Sequence, residues 1–196
     1  MGKIFYIIGK SSSGKDTVYK QLLLQNDFDL KELVLYTTRP IRSGETEGVE
    51  YHFVTEEQYQ GLLQDGKIIE VRAYDTIYGV WRYFTVNDGQ IDLERQNYLV
   101  TGTIASYCAA RDYFGANKVI PIYIDLDDGI RLQRALNREK KQEQPKYTEM
   151  CRRFLADAED FAPEKIKEAG IEQKFQNDDL LHCVSEIVSF ISREMK

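Results

Sequence analysis

The sequence predicts an α/β fold, a three-layer α/β/α sandwich on a central parallel sheet, carrying an inserted lobe and a helical lid. Three features lead there. Apolar, β-branched runs at residues 4–8 and 119–124 are each followed by an amphipathic helical pattern, the alternation from which parallel sheets are built. The first run passes through a glycine-rich turn into a helix, so the motif sits at a strand end, where α/β proteins bind ligands. Between residues 37 and 84 the alternation stops, and short strands surround a single helix. That block reads as an insertion.

At 196 residues the chain suits one domain with small inserted parts. Its 42% hydrophobic and 30% charged content is that of an ordinary globular protein, and a net charge of −6 argues against a whole-surface nucleic-acid binder. No apolar run approaches membrane-spanning length. Three widely separated cysteines (Cys108, Cys151, Cys183) and two histidines lack metal-ligand spacing, and unpaired thiols suit a reducing cytoplasm.

Ile4-Phe5-Tyr6-Ile7-Ile8 forms the first strand. It leads into Gly9-Lys10-Ser11-Ser12-Ser13-Gly14-Lys15-Asp16-Thr17, and a helix follows with Val18, Leu22 and Leu23 on one face, fading near Asn26-Asp27. This is the pattern of a phosphate-binding P-loop. Its glycines let the backbone wrap closely, successive N–H groups form an anion nest, and the helix N-terminus adds positive partial charge. Lys15 then reaches the terminal phosphates as a point charge. The position after the lysine, normally Ser or Thr for magnesium, is Asp16, with the hydroxyl one residue later at Thr17.

Leu33 to Tyr36 reads as a short buried strand entering a loop shaped by Pro40 and Gly44, and Tyr51 to Val54 as another strand. Thr55 with Glu56-Glu57-Gln58 caps a helix ending near Gln64. Ile68 to Val71 and Tyr78 to Val86 are expected as short strands joined through Tyr74-Asp75-Thr76. Trp81 reads as packing between the lobe and the core. The parallel core resumes at Tyr98 to Thr103 and continues with a helix from Ile104 to Tyr113, which places Cys108 in a buried, inert position. Val119 to Ile124 is a strand buried on both faces.

Asp127-Asp128 caps a helix on which Arg131, Arg134 and Arg138 share one face. A polar stretch from Glu139 to Lys146 separates it from a helix bearing Arg152-Arg153. Pro163 opens a short helix, Glu172 to Gln176 is the last strand, and Asp178-Asp179 caps a terminal amphipathic helix. The expected division is a core of 1–36, 85–129 and 154–196, a lobe of 37–84 and a lid of 130–153. Residues 130–153 hold eight Lys/Arg against three Asp/Glu, a local positive excess in an acidic chain.

Arg39 and Arg42, three apart on the Pro/Gly-shaped loop, can fork onto a phosphate, and Tyr51 and Tyr78 offer hydroxyls to the same anion. With the P-loop beside them, these residues suggest an anion-binding role.

The motifs resemble guanylate kinases in the same order and at nearly the same spacings: Gly9–Thr17, Thr37-Thr38-Arg39-x-x-Arg42-x-Gly44-Glu45, Gly48-x-x-Tyr51-His52-Phe53-Val54, Ile69-Glu70, Tyr78-Gly79, Arg134-x-x-x-Arg138, Arg152-Arg153 and Asn177-Asp178-Asp179. The resemblance implies a P-loop NTPase core, a lobe gripping the acceptor and a mobile lid, with ATP and Mg2+ as cofactors. It places Arg39, Arg42, Tyr51 and Tyr78 around the acceptor's phosphate and Glu70 at its base, with Thr38, Gly79, Thr101 and Thr103 also among the acceptor-binding residues. The reaction it implies, in-line phosphoryl transfer, needs positioning and charge neutralisation more than a strong base, so the lack of a candidate catalytic histidine is no obstacle. Lys15, Arg134, Arg138 and Arg153, with Arg39, become the catalytic set. Residues 9–17 and Asn177 would bind ATP, and Asp16 and Thr17 would hold the metal.

The chain departs from that pattern at Asp16, at Leu35 (where the family has a base-contacting serine), and at Thr101 and Thr103 (where it has aspartates). Asp16 and Val100-Thr101-Gly102-Thr103 are similar to ribose 1,5-bisphosphate phosphokinases, which leaves a sugar phosphate as the alternative acceptor. A third possibility is a non-catalytic phospho-ligand-binding module, like the guanylate-kinase-like domains of scaffolding proteins, although those typically lose the lysine that this chain keeps. The expectation is a cytoplasmic enzyme, monomer or homodimer, that phosphorylates a nucleoside monophosphate, GMP first. Its partners would be small molecules, with no nucleic acid and no membrane.

Overall fold

The structure, a computed structural model, describes residues 2–25, 28–42, 44–76 and 78–196. Its centre is a five-stranded, all-parallel sheet built from β1 (Ile4–Gly9), β2 (Leu30–Glu32), β7 (Asn97–Gly102), β8 (Val119–Asp125) and β9 (Lys174–Gln176), in the order β2-β7-β1-β8-β9. β1 lies in the middle, with Ile7 in register with Thr101 on one side and Ile122 on the other.

All six β1 residues are buried, and the period-two alternation divides them between two cores. Ile4, Tyr6 and Ile8 pack with Val100, with Tyr107 of α3 (Ile104–Phe114) and with Ile166 of α6 (Pro163–Glu168). Phe5 and Ile7 pack with Val18 and Leu22 of α1 (Lys15–Gln25) and with Val184 and Ile187 of α7 (Leu180–Glu194). Helices therefore cover both faces, which is the expected three-layer arrangement. Burying each of these Ile, Leu or Phe side chains contributes roughly 1.5–3 kcal/mol, enough to hold the loop after β1 on a rigid base. The helix end expected at Asn26-Asp27 lies outside the described residues.

Two expected elements differ. The strand read at Leu33–Tyr36 is split: β2 ends at Glu32, and β3 (Tyr36–Thr37) belongs to a second sheet. Leu33 and Leu35 are buried, and their backbones bond to Leu99 and His52. Their apolar character reflects burial at the crossing between the sheets, not membership of one strand. The two short strands expected in the lobe form one long antiparallel hairpin, β5 (Ile68–Thr76) with β6 (Gly79–Val86), so Tyr74-Asp75-Thr76 is strand and not connection. With β3 and β4 (His52–Phe53) it makes the sheet β4-β3-β6-β5.

α2 (Glu56–Gln64) caps as expected, with a reciprocal Thr55–Gln58 capping box, and supplies Tyr59 to the small lobe core of Phe84 and Val86. α4 (Asp128–Glu139) and α5 (Tyr147–Asp160) are joined through residues 140–146. α5 runs unbroken from the expected lid, past residue 153, back to the core.

Candidate functional site

The phosphate loop closes over the end of β1. Gly14 has φ +90°, a conformation suited to glycine, and Ser12 shares the left-handed region at φ 63°. A Cβ on Gly14 would lie 2.3 Å from Asn177 Nδ2, and one on Gly9 would lie 2.8 Å from the Ile124 carbonyl oxygen. Close approach of the Ile124 backbone therefore demands Gly9, and the positive φ with the Asn177 side chain against it demands Gly14. Asn177, expected near adenine, is buried and donates through Nδ2 to the Ser13 carbonyl at 2.7 Å. It braces the loop from below while still lining the adjoining cavity.

Arg131 performs a second bracing role. On the helix where Arg131, Arg134 and Arg138 are expected along one face, Arg131 is only 1% exposed. Its Nε donates to the Ser11 carbonyl at 3.0 Å and its Nη2 to Asp157 at 2.6 Å, and it also pairs with Asp128. Asp157 accepts from the Ser11 amide at 2.8 Å. Lys10 pairs with Asp128 at 3.2 Å, so it supports the loop from outside. Burial would raise the Asp128 carboxyl, but hydrogen bonds from Arg131 and Lys10 hold it below the usual carboxylate range.

Three cavities meet at Lys15. The first, about 380 Å³, is lined by Ser12, Gly14, Asp16, Thr17, Arg134, Arg138 and Asn177. Arg138 donates to Ser12 Oγ at 3.3 Å, which draws α4 towards the loop. The second, about 760 Å³, runs past Gly9, Ser11, Arg72, Tyr74, Thr103 and Cys108. The third, about 980 Å³, opens between lobe and lid along Arg42, Tyr51, Arg72, Trp81 and Arg153. Volumes of about 300–1,000 Å³ are those of small-molecule sites.

Several expected residues are engaged elsewhere. Arg39 is buried, and its guanidinium forks onto Glu45 through contacts of 2.7 and 2.5 Å. It lies 5.4 Å from the Tyr51 ring centroid and 5.3 Å from that of Phe53. The Arg39 hydrogen bond, with the Arg42 amide, pulls the Glu45 carboxyl down to about 2. Thr38 Oγ1 accepts from the Arg82 amide and ties β3 to β6. Thr103 caps α3 in a box with Ser106, and Thr101 sits within β7.

Tyr78, 77% exposed beside Gly79, stacks on Trp81 at 6.1 Å. Trp81 thus pairs with Tyr78 and lines the cleft. Cys108 likewise lines a cavity and is not buried; its thiol is pushed up by partial burial.

Glu70 is 7% exposed, and both of its oxygens are taken. Oε1 accepts from Thr85 Oγ1 at 2.9 Å and from Arg72 Nη2 at 3.4 Å, and Oε2 from Arg72 Nε at 3.2 Å. Tyr6 lies behind this pair, its hydroxyl pushed up to about 12 by burial and by the Glu70 charge. Arg153 pairs with Glu149 at 2.8 Å, and Arg152 and Arg153 together hold that carboxyl down to about 2.

Sequence reasoning missed Arg72, Arg131 and Asp157 as site residues. Arg72 carried a usable signal, because two residues after Glu70 on a strand is the same face. Arg131 and Asp157 are 26 residues apart, and nothing local announces their pairing. Among the described residues no three His, Cys, Asp or Glu side chains are grouped to hold a metal, and no helix is long and apolar enough to cross a membrane.

Comparison with known proteins agrees with the motif reading. The family model described as guanylate kinase matches residues 1–84. A guanylate kinase of Clostridioides difficile (strain 630) is 38% identical over 79 residues, 40% of this chain and 38% of the relative. One of Oceanobacillus iheyensis is 35% identical over 105 residues, half of each chain. One of Malacoplasma penetrans is 28% identical over 184 residues, 90% of this chain and 82% of the relative. The chain thus spans half or less of the length of the first two. The crystal structure of guanylate kinase from Anaplasma phagocytophilum superposes with a TM-score of 0.66 over 100% of this chain and 87% of that one, at 19% identity, a likeness of fold.

Proposed function

We propose that this chain belongs to the guanylate kinase family and transfers the γ-phosphoryl group of ATP to the phosphate of a nucleoside monophosphate, GMP first. The observation that carries this is the position of Lys15, where a phosphate-loop cavity meets a cleft lined by Arg42, Tyr51 and Arg153. An acceptor phosphate oxygen forms the new bond to the γ-phosphorus as the bond to the β-phosphate oxygen breaks and ADP leaves. Lys15, Arg134 and Arg138 neutralise charge on the donor side, and Arg153 reaches the transferring group from α5. Asp16 and Thr17 supply hard oxygen donors in the first turn of α1, fitting a magnesium ion that the nucleotide's phosphates would also hold and whose charge would offset theirs. Both residues are exposed on the donor cavity.

In this reading residues 1–36, 85–129 and 154–196 act as the core, 37–84 as the acceptor lobe and 130–153 as the closing lid. Closure would bring the Tyr78 tip inward and exchange Glu45 for substrate phosphate on Arg39. The protein would work in the cytoplasm as a monomer or homodimer on small molecules. A sugar bisphosphate such as ribose 1,5-bisphosphate is the second reading, favoured by the engagement of both Glu70 oxygens. Retention of Lys15 and the lid arginines speaks against a module that only binds. The test is a coupled ADP-release assay across GMP, dGMP, AMP, UMP, CMP and ribose 1,5-bisphosphate. Turnover of a nucleotide supports the proposal, and turnover of the sugar phosphate alone supports the second reading. Intact ATP binding with no turnover would overturn both.

A further inference from the structure

Beyond the phosphates, the acceptor cleft has a wall suited to a flat base. Arg72 and Tyr74 stand on one face of β5, two residues apart, and Arg72 is in register with Tyr83 of β6. Arg72 and Tyr74 line both of the larger cavities that meet at Lys15, and Tyr83 lines the one between lobe and lid. The Tyr74 and Tyr83 rings meet edge to face, with centroids 5.7 Å apart. Aromatic rings and a guanidinium thus share one surface, which offers a purine stacking area that a bare sugar phosphate cannot use.

Arg72 is held in one orientation. Its Nε donates to Glu70 Oε2 at 3.2 Å and its Nη2 to Oε1 at 3.4 Å, while Thr85 Oγ1 donates to Oε1 at 2.9 Å. Glu70 keeps a lone pair on Oε2, but its side chain is only 3% exposed and it lines neither cavity. The Arg72 side chain is 17% exposed. The edge formed by Nη1 and the second N–H of Nη2 has no hydrogen-bond partner among the described residues. Two parallel N–H groups on one guanidinium edge complement two adjacent acceptors. On guanine those acceptors are O6 and N7, the pair through which arginine most often reads that base in nucleic acids. Adenine has an amino group in place of O6 and would set donor against donor.

The geometry points to Arg72 as a specificity residue that donates from its free edge to O6 and N7 of the acceptor's purine, with Glu70 holding the guanidinium from behind. The acceptor class is then the 6-oxopurine nucleoside monophosphates, and the 2-amino group of guanine adds little. This rests on the reading of the cleft as the acceptor site. It narrows that reading to bases that carry O6 beside N7.

Binding, measured apart from turnover, tests it. Isothermal titration of the full chain should give affinities for GMP and IMP within about threefold of each other. AMP, and 7-deaza-GMP, which keeps O6 but lacks the N7 acceptor, should each bind about tenfold more weakly, the scale of one charge-assisted hydrogen bond. Arg72→Ala should weaken GMP by about tenfold or more and bring GMP and 7-deaza-GMP to equal affinity. That ratio compares two ligands on one preparation, so a lower folded fraction does not move it. Because Arg72→Ala leaves Glu70 buried without its cation, Arg72→Ala/Glu70→Gln repeats the comparison without that charge and should give the same equality. Equal wild-type affinities for GMP and 7-deaza-GMP, a 7-deaza penalty that survives Arg72→Ala, or IMP bound as weakly as AMP would overturn the inference while leaving GMP as an acceptor. Failure of every purine monophosphate to bind, with ATP bound normally, would overturn the acceptor reading and the inference together. If the expected pattern holds but no acceptor is phosphorylated, the kinase reading fails and the role of Arg72 stands.

Discussion

Asp157, near the end of α5, accepts a hydrogen bond from the Ser11 amide at 2.8 Å and pairs with Arg131 at 2.6 Å. α5 is thereby tied to the phosphate loop near its C-terminal end. Replacing Asp157 by Ala would strip a buried guanidinium of one partner and leave a loop amide unmet. Breaking a buried pair costs about 3–5 kcal/mol, and Asp128 still holds Arg131, so the loss should lie near the lower value. Urea unfolding measures it. A loss below about 1 kcal/mol would mean that the latch carries no weight.

Gly14→Ala tests the loop itself. The new Cβ would sit 2.3 Å from Asn177 Nδ2 at a φ of +90°, so the Asn177–Ser13 bond and the loop conformation cannot both survive. Strain of this kind costs of order 1–3 kcal/mol. ATP affinity, read by fluorescent-nucleotide displacement, should fall at least tenfold, and wild-type affinity would contradict the tight loop described.

Why some of this was legible in the sequence and some was not follows from where the information lies. The phosphate loop is local: glycine at two positions, a lysine and a helix start are all consecutive. The parallel sheet was readable because strands buried on both faces must be continuously apolar, as β1 and β8 are. Leu33 and Leu35 misled because burial at a crossing gives the same apolar signature as burial in a strand. Arg39 is read from its charge and its spacing to Arg42, and Glu70 from the family resemblance. Their partners, Glu45 and Arg72, lie six and two residues away, and only the folded hairpin and loop show that the charges are already paired.

Stability should depend on acid pH through two carboxylates. Glu45 and Glu149 titrate near 2 in the folded chain against an ordinary 4.5. A depressed folded value means that the stabilisation is complete above about 4.5 and disappears as pH falls towards 2. Thermal melting between pH 7 and pH 2 should therefore hold level and then fall across that window. Glu45→Gln should flatten the fall more than Glu149→Gln, because Arg39 is buried whereas Arg152 and Arg153 are solvent-screened. Equal curves for the wild type and both variants would refute the assignment.

Trp81 is the only tryptophan, and it lines the cleft while stacking on Tyr78. An acceptor that closes the lobe should exclude water from the indole and shift its emission to the blue. The shift should saturate with acceptor concentration and vanish in Trp81→Phe. Emission unchanged by a ligand that titration shows to bind would place that ligand outside this cleft.

Lys15→Ala separates binding from chemistry. Lys15 lines all three cavities, so on the proposed reading its charge lies where the transferring group passes. Its ion pair with Asp16 at 3.7 Å joins it to an exposed carboxylate and does not compete strongly for it. Removing the ammonium takes away compensation for charge that spreads over the phosphoryl oxygens in the transition state, while the loop amides and Arg134 still hold the ground-state nucleotide. The expected result is a fall in kcat of about 10²–10³ or more with a much smaller change in ATP affinity. Rapid-quench measurement of phosphoryl transfer together with nucleotide titration gives both quantities. A loss confined to ATP affinity would make Lys15 a binding residue only and shift the catalytic burden to the lid arginines.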